Sequence, residues 1–290
     1  MAISSVNDSL VSRVRIHLQT RMMGGAFAGI GATEEISQIA GKLLRTRLAQ
    51  ALAPKGWHEW LPHLVPACTA LELIHTASLF HDDVVDGASL RRGKPALWRV
   101  FTPSGAVLIG DMLFCEALSV LLETGNNRLF RLFNAKVKEV CEFEARQELL
   151  LRGKRCDLET CLDIARGKTG PLFAFAAMVC AGDDLELERS LEEAGYRIGC
   201  AYQIADDLQD EEGSEASAGK TLGTDRLRRK FTLPQENADE ARAILAGLCE
   251  SAAYPLARWP EHEQRFVRFI EENFSSVLSH PSIKSDRLPV

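Results

Sequence analysis

Apolar residues recur at three- and four-residue spacings along nearly the whole chain, while alternation with a period of two is scarce and short. This pattern predicts an all-α protein. The amphipathic runs place helices over residues 5–22, 33–53, 60–86, 101–123, 126–151, 157–166, 168–181, 185–210, 236–252 and 260–276. Turn chemistry in "TGNN", "AGDD" and "EEGSEASAG" separates them, and Pro234 and Pro260 mark breaks. No repeat of solenoid length and no long polar linker interrupts the series. A single large helical bundle over 1–290 is therefore expected, with 278–290 as a frayed tail. The glycine-rich "GGAFAGIGA" follows no strand, which argues against a phosphate-binding loop there.

With 290 residues, 46% of them hydrophobic, the chain has the material for a large core. Its formal net charge of -6 argues against non-specific nucleic-acid binding, yet leaves room for a local basic pocket that holds a small anion. No eighteen consecutive residues are apolar. "LFAFAAMVCAG" (172–182) comes nearest and reads as a buried helix, so no membrane span is expected. The first twenty or so residues lack an uninterrupted hydrophobic segment, and a cytoplasmic location is the expectation. Eight cysteines show no CxxC pair and no zinc-type spacing with histidine, so buried free thiols are expected.

In "HDDVVD", Asp82 and Asp86 stand four residues apart, on one helix face and ~5.4 Å from each other along the axis. Asp83 is set to the side. Like charges at this spacing repel, and a hard, oxygen-seeking cation such as Mg²⁺ is the natural partner. "YQIADDLQD" repeats the arrangement at Asp206, Asp207 and Asp210, behind an apolar run in which Ile198, Ala201 and Ala205 are expected to pack inward. Two such carboxylate sets can face each other across a bundle interior. Because magnesium binds through a few carboxylates plus substrate phosphates, they imply a phosphate-bearing substrate.

Basic residues gather near the same motifs. Arg91, Arg92 and Lys94 follow the first one directly, with Gly93 and Pro95 indicating a loop. Lys42 and Arg45 lie in "AGKLLRTRL", Lys168 in "GKTG", Lys220 in "GKTLGTD" and Lys230 in "KFTLP", while His75 shares the helix of the first motif. Arginine suits bidentate contact with phosphate oxygens, and lysine acts as a mobile point charge.

Taken in order over roughly residues 40–235, "GKLLR", "IHTASLFHDDVVDGASLRRGKP", "GKTG", "YQIADDLQD", "GKTLGTD" and "KFTLP" resemble the trans-type isoprenyl diphosphate synthases of the polyprenyl synthetase family. The resemblance implies an all-α bundle around a deep central cavity, usually a homodimer, that uses Mg²⁺ to condense isopentenyl diphosphate with an allylic diphosphate. By motif it implies that Asp82, Asp86 and Asp206 hold the metal, with Asp83, Asp207 and Asp210 in support. Arg91, Lys168, Lys220 and Lys230 would hold the allylic diphosphate. Lys42, Arg45, His75 and Arg92 would hold isopentenyl diphosphate, and Thr169 and Gln203 would line the reacting carbons beside Lys168.

Below the first motif, the small Ala77 and Ser78, with Ile74 and Leu71 further down, imply room for a tail beyond fifteen carbons, giving geranylgeranyl or longer products. Phe114 is a candidate for a lower floor. The chain departs from the family pattern at Leu43, where a basic residue is usual, at Thr46, where proline is usual, at Gly87, where an acidic residue is common, and at its C-terminus, which lacks the usual basic end. Two other readings stand beside this one. A terpene cyclase is disfavoured by the retained isopentenyl set, and a non-catalytic subunit of a heteromeric synthase is disfavoured by two intact aspartate motifs.

Overall fold

A computed structural model of the protein describes residues 9–30, 41–212, 221 and 230–278. These residues are helical apart from connections and one two-residue ladder, so the all-α expectation holds. The principal helices are α1 (Leu10–Met23), α2 (Leu44–Leu52), α3 (Leu64–Asp86), α4 (Pro103–Leu122), α5 (Asn127–Ala145), α6 (Leu158–Met178), α7 (Leu185–Glu212), α8 (Ala238–Ser251) and α9 (Pro260–Leu278). Packing groups the described residues into two compact units, one reaching to Asn134 and including Thr221, the other starting at Ala135. Each is described by itself.

Local chemistry fixes where the helices begin. The hydroxyl of Ser9 accepts from Ser12 N at 3.1 Å ahead of α1, and Asp157 accepts from Thr160 N at 2.8 Å ahead of α6. Thr102 caps α4 with Pro103 in its first turn, and Asn237 caps α8. These are the orphan amides that a short polar side chain satisfies best. Helix α3 stops at Gly87, whose φ of +66° suits a residue without a Cβ, so the departure there marks a helix end.

In the first unit, α3 packs against α1 and α4, and Leu71, Leu73 and Phe80 of α3 and Leu113 and Ala117 of α4 are fully buried. Helix α4 buries Ala106, Ile109, Leu113 and Val120 but leaves Val107, Leu108 and Leu122 exposed. Among the described residues it is α4, rather than 172–182, that is long and apolar enough to cross a membrane. In the second unit, α6 and α7 approach main chain to main chain. A Cβ on Gly195 would lie 2.5 Å from Ala174 Cα, and one on Gly199 would lie 2.6 Å from Gly170 Cα, so only glycine fits.

Several expectations are corrected. Residues 157–166 and 168–181 form the single helix α6, with Pro171 inside it. Every residue from Thr169 to Met178 is buried, and that burial outweighs the break proline favours. The run 126–151 ends as an α-helix at Ala145 and continues as a π-turn, Arg146–Leu151. The "RRGKP" segment is a tight hairpin, not an irregular loop, pairing Leu90 with Pro95 and Arg91 with Lys94. On α7, Ile198 and Ala201 pack inward as expected, but Ile204 takes the place assigned to Ala205, which is half-buried. All eight cysteines are free, yet only Cys68, Cys180, Cys200 and Cys249 are buried. Lys220 and the tail beyond Leu278 lie outside the described residues.

Candidate active site

In the first unit, α3 presents His75, Ser78, Asp82 and Asp86 at spacings of three and four, all half-buried. They form one stripe. Asp83 is not simply set aside: it is 1% exposed, and its Oδ1 accepts from Arg91 Nε at 2.9 Å and from Arg91 Nη2. Its Oδ2 is buried without a hydrogen-bond partner. Burial pushes this carboxyl up, the Arg91 guanidinium pulls it back, and the neighbouring Asp86 raises it further; the net direction is upward.

The hairpin after α3 sends its two arginines to different places. Arg92 and Gly93, the central residues, have φ of +54° and +73°, the both-positive pattern of a two-residue hairpin turn. Thr221 clasps this hairpin: its hydroxyl accepts from Ser89 N and Leu90 N, each at 3.0 Å, and its own amide donates to Leu90 O at 3.3 Å. Arg91 turns to Asp83. Arg92 lies against Gly41, where a Cβ would overlap its guanidinium. Arg45 is 7% exposed, and Arg45, Arg92 and Arg91 all act electrostatically on His75. Burial first, then those three cations, hold the His75 imidazole well below its usual range, so it is neutral at pH 7. Arg45, His75 and Arg92 thus gather around one place, with the exposed Lys42 next to Gly41.

In the second unit, Asp206, Asp207 and Asp210 lie half-buried on α7. Thr169 on α6 hydrogen-bonds to Gln203 Oε1, and Gln203 Nε2 donates to Asp207 Oδ1 at 2.7 Å. Two residues assigned to the reacting carbons are therefore wired to the second aspartate motif. Lys168 Nζ donates to Gln147 Oε1 at 2.7 Å and meets Glu144 Oε2 at 3.2 Å. Lys230 is buried at 7% exposure, and its carbonyl accepts from Gln235 Nε2 at 3.2 Å.

A sequence profile of the polyprenyl synthetase family matches residues 31–249. The chain belongs to the polyprenyl synthetase family. Among curated proteins, it is 35% identical over 209 residues to a heptaprenyl diphosphate synthase component 2 from Geobacillus stearothermophilus, which covers 70% of this chain and 64% of that protein. It is 34% identical over 244 residues to a geranylgeranyl diphosphate synthase from Mycobacterium tuberculosis, covering 79% of this chain and 68% of that one. The chain thus spans about two thirds of the length of these relatives. Among solved structures, a polyprenyl synthase from Caulobacter crescentus, complexed with calcium and isoprenyl diphosphate, superposes with a TM-score of 0.79 at 25% identity, over 91% of this chain and 94% of that one.

For a polyprenyl synthetase the carboxylates fit a hard divalent cation. The donors are all oxygens, Asp82 and Asp86 share a half-buried stripe, and Asp83 Oδ2 is a buried acceptor with nothing to accept from. Magnesium takes one or two carboxylates and completes its octahedron with water and phosphate oxygens. Among the described residues no three His, Cys, Asp or Glu side chains gather tightly enough to form a complete protein cage. Burial pushes the Cys200 thiol up to about 11 and those of Cys180 and Cys249 to about 12, so none of these three offers a thiolate nucleophile.

Four residues were missed in the sequence: Glu72, Glu144, Gln147 and Thr221. Thr221 sits inside the quoted "GKTLGTD" and was readable as a candidate. Glu72 is a lone carboxylate in the apolar run "ALELIH", which is itself a signal. Glu144 and Gln147 carried none.

Proposed function

We propose that this chain is a magnesium-dependent prenyltransferase that joins isopentenyl diphosphate to an allylic diphosphate and releases geranylgeranyl or longer all-trans polyprenyl diphosphate. The observation that supports this best is the cluster of Arg45, His75 and Arg92 in the same unit as the first aspartate motif. An enzyme that only ionises one diphosphate has no use for a second set of phosphate-binding groups. The reading includes a cytoplasmic homodimer.

In this reading, Asp82, Asp86 and Asp206 hold magnesium, supported by Asp83, Asp207 and Asp210. Magnesium, when bound, stabilises the charge that builds on the departing diphosphate. Arg91, Lys168, Lys220 and Lys230 neutralise that same diphosphate. As the carbon–oxygen bond breaks, the oxygens of Thr169 and Gln203 face the allylic cation. Lys42, Arg45, His75 and Arg92 hold isopentenyl diphosphate so that its alkene forms the new carbon–carbon bond. The proton lost from the adjacent carbon goes to the released pyrophosphate, and the chain is longer by one isoprene unit.

The test is to incubate purified protein with Mg²⁺, isopentenyl diphosphate and, separately, dimethylallyl, geranyl or farnesyl diphosphate, and to size the products by mass spectrometry. A ladder ending at a defined length is expected. The name of the heptaprenyl relative, a component 2, favours a second reading in which turnover needs a partner chain. Elongation only after adding such a partner would establish it, and a cyclic hydrocarbon formed without isopentenyl diphosphate would replace both readings with a cyclase.

Product length tests the floor below Asp82. Ser78 lies one turn down on the same stripe and is half-buried, whereas Ala77 is 1% exposed and packed in the core with Ile74 and Leu71. Ser78→Phe is expected to shorten the final product by at least one isoprene unit. Ala77→Phe is expected to cost about 1–3 kcal/mol of stability through overpacking. An unchanged product from Ser78→Phe would place the floor elsewhere.

A further inference from the structure

Helix α2 begins without a local cap. Its N-cap residue is Leu43, held at φ +50° and ψ +47° with no side-chain hydrogen bond to the first turn. An apolar residue cannot satisfy the orphan amides of that turn, and the left-handed conformation costs it strain. The missing acceptor comes from another helix. Glu72 on α3, 5% exposed, accepts at Oε1 from Thr46 N at 3.1 Å and from Thr46 Oγ1 at 2.7 Å. Thr46 is the third residue of α2, so this carboxylate occupies the place of an N-cap and meets the positive end of the helix dipole.

The same carboxylate is surrounded by phosphate-binding candidates. Arg45 and Arg92 act electrostatically on Glu72, and His75 follows it by three residues on α3. Thr76 donates its hydroxyl to the Glu72 carbonyl at 2.8 Å, fixing the turn that carries both. Burial raises the Glu72 carboxyl, and the two arginines with the two Thr46 bonds oppose that rise. A buried carboxylate without these partners would be costly, and a buried Arg45 without a carboxylate equally so.

We propose that Glu72 is a positioning residue of the isopentenyl diphosphate pocket: it anchors the start of α2 through Thr46 and thereby aims Arg45 at the substrate. This rests on the assignment of Arg45, His75 and Arg92 to that substrate. Thr46 is what makes the anchor possible, since a residue with neither amide hydrogen nor hydroxyl could not reach Glu72 in this way. The pairing gives the departure at Thr46 a use: its amide and its hydroxyl both donate to Glu72, where a proline would offer no donor.

The experiment measures steady-state kinetics for both substrates in Glu72→Gln, Thr46→Val and Arg45→Ala, and in Glu72→Gln combined with Arg45→Ala. Glu72→Gln keeps the shape and an acceptor for Thr46 but removes the charge. It is expected to raise KM for isopentenyl diphosphate about tenfold, with kcat and KM for the allylic substrate changed less than about twofold. Thr46→Val should move the same KM in the same direction by less. In the Arg45→Ala background, Glu72→Gln should add nothing further. Equal losses towards both substrates, tracking a lowered Tm, would overturn the proposal in favour of a merely structural carboxylate. If Arg45→Ala raises KM for isopentenyl diphosphate and Glu72→Gln does not, the proposal fails while the pocket assignment stands. If Arg45→Ala itself leaves that KM unchanged, the pocket assignment fails and takes the proposal with it.

Discussion

Asp82→Asn is expected to lower kcat for elongation by about 10²–10³-fold, the scale seen when one preorganised stabiliser of transition-state charge is removed. The amide keeps the size of the carboxylate and loses the charge that a hard cation needs. Asp82 is half-buried on a stripe with Asp86, so the substitution is expected to change Tm little, and the loss belongs to chemistry rather than folding. Titration with Mg²⁺ should show the half-maximal concentration rising in the variant, and KM for isopentenyl diphosphate should stay near its original value. Asp83→Asn provides the contrast. Asp83 is 1% exposed and grips Arg91, so losing its charge leaves a guanidinium without its carboxylate and costs on the order of 2 kcal/mol, read as a lowered Tm. If Asp82→Asn retained full activity across Mg²⁺ concentrations, the first motif would not be the metal site.

The second large effect lies in the second unit. Replacing Gly199 with valine is expected to cost at least about 3 kcal/mol of unfolding free energy, the upper end for overpacking, because the atoms met are main chain and cannot rotate away. A Cβ there would lie 2.6 Å from Gly170 Cα and 2.9 Å from Gly170 N; at Gly195 it would lie 2.5 Å from Ala174 Cα and 2.7 Å from Ala174 N. Urea unfolding followed by circular dichroism measures the loss. Gly247→Ala is the control. Gly247 sits inside α8 with nothing within 4 Å of where a methyl would stand, and alanine there is expected to be neutral or to stabilise by about 0.5–1 kcal/mol. A Gly199→Val protein as stable as its parent would mean that α6 and α7 do not pack as described.

The fold and the first motif were legible because both rest on local spacing. Asp82 and Asp86 share a face whatever surrounds them, since one helical turn decides it. Asp83 was not legible in the same way. Where a third carboxylate turns depends on Arg91 arriving eight residues later through a hairpin whose tip requires Arg92 in the left-handed region, and composition gives no sign of that. The break expected between 166 and 168 is absent: the buried turns from Thr169 to Met178 carry α6 on as one helix, past Pro171 as well. Gln147 stayed hidden because the π-turn of Arg146–Leu151 shifts the phase of the helix just where Gln147 meets Lys168. The partner of Glu72 could not be read at all, since Thr46 lies twenty-six positions away on another helix.

The glycine seam has a consequence for how such a protein can vary. Gly170 follows Thr169 directly, and Gly199 precedes Gln203 by one turn, so the reach from the Thr169 hydroxyl through Gln203 to Asp207 is set by touching peptide planes rather than by side-chain volume. Side chains can be trimmed or enlarged by single substitutions, whereas peptide planes are the same in every sequence. The seam therefore works as a fixed gauge. The dimension it sets is closed to gradual adjustment, and variation has to accumulate where spacing is carried by replaceable groups.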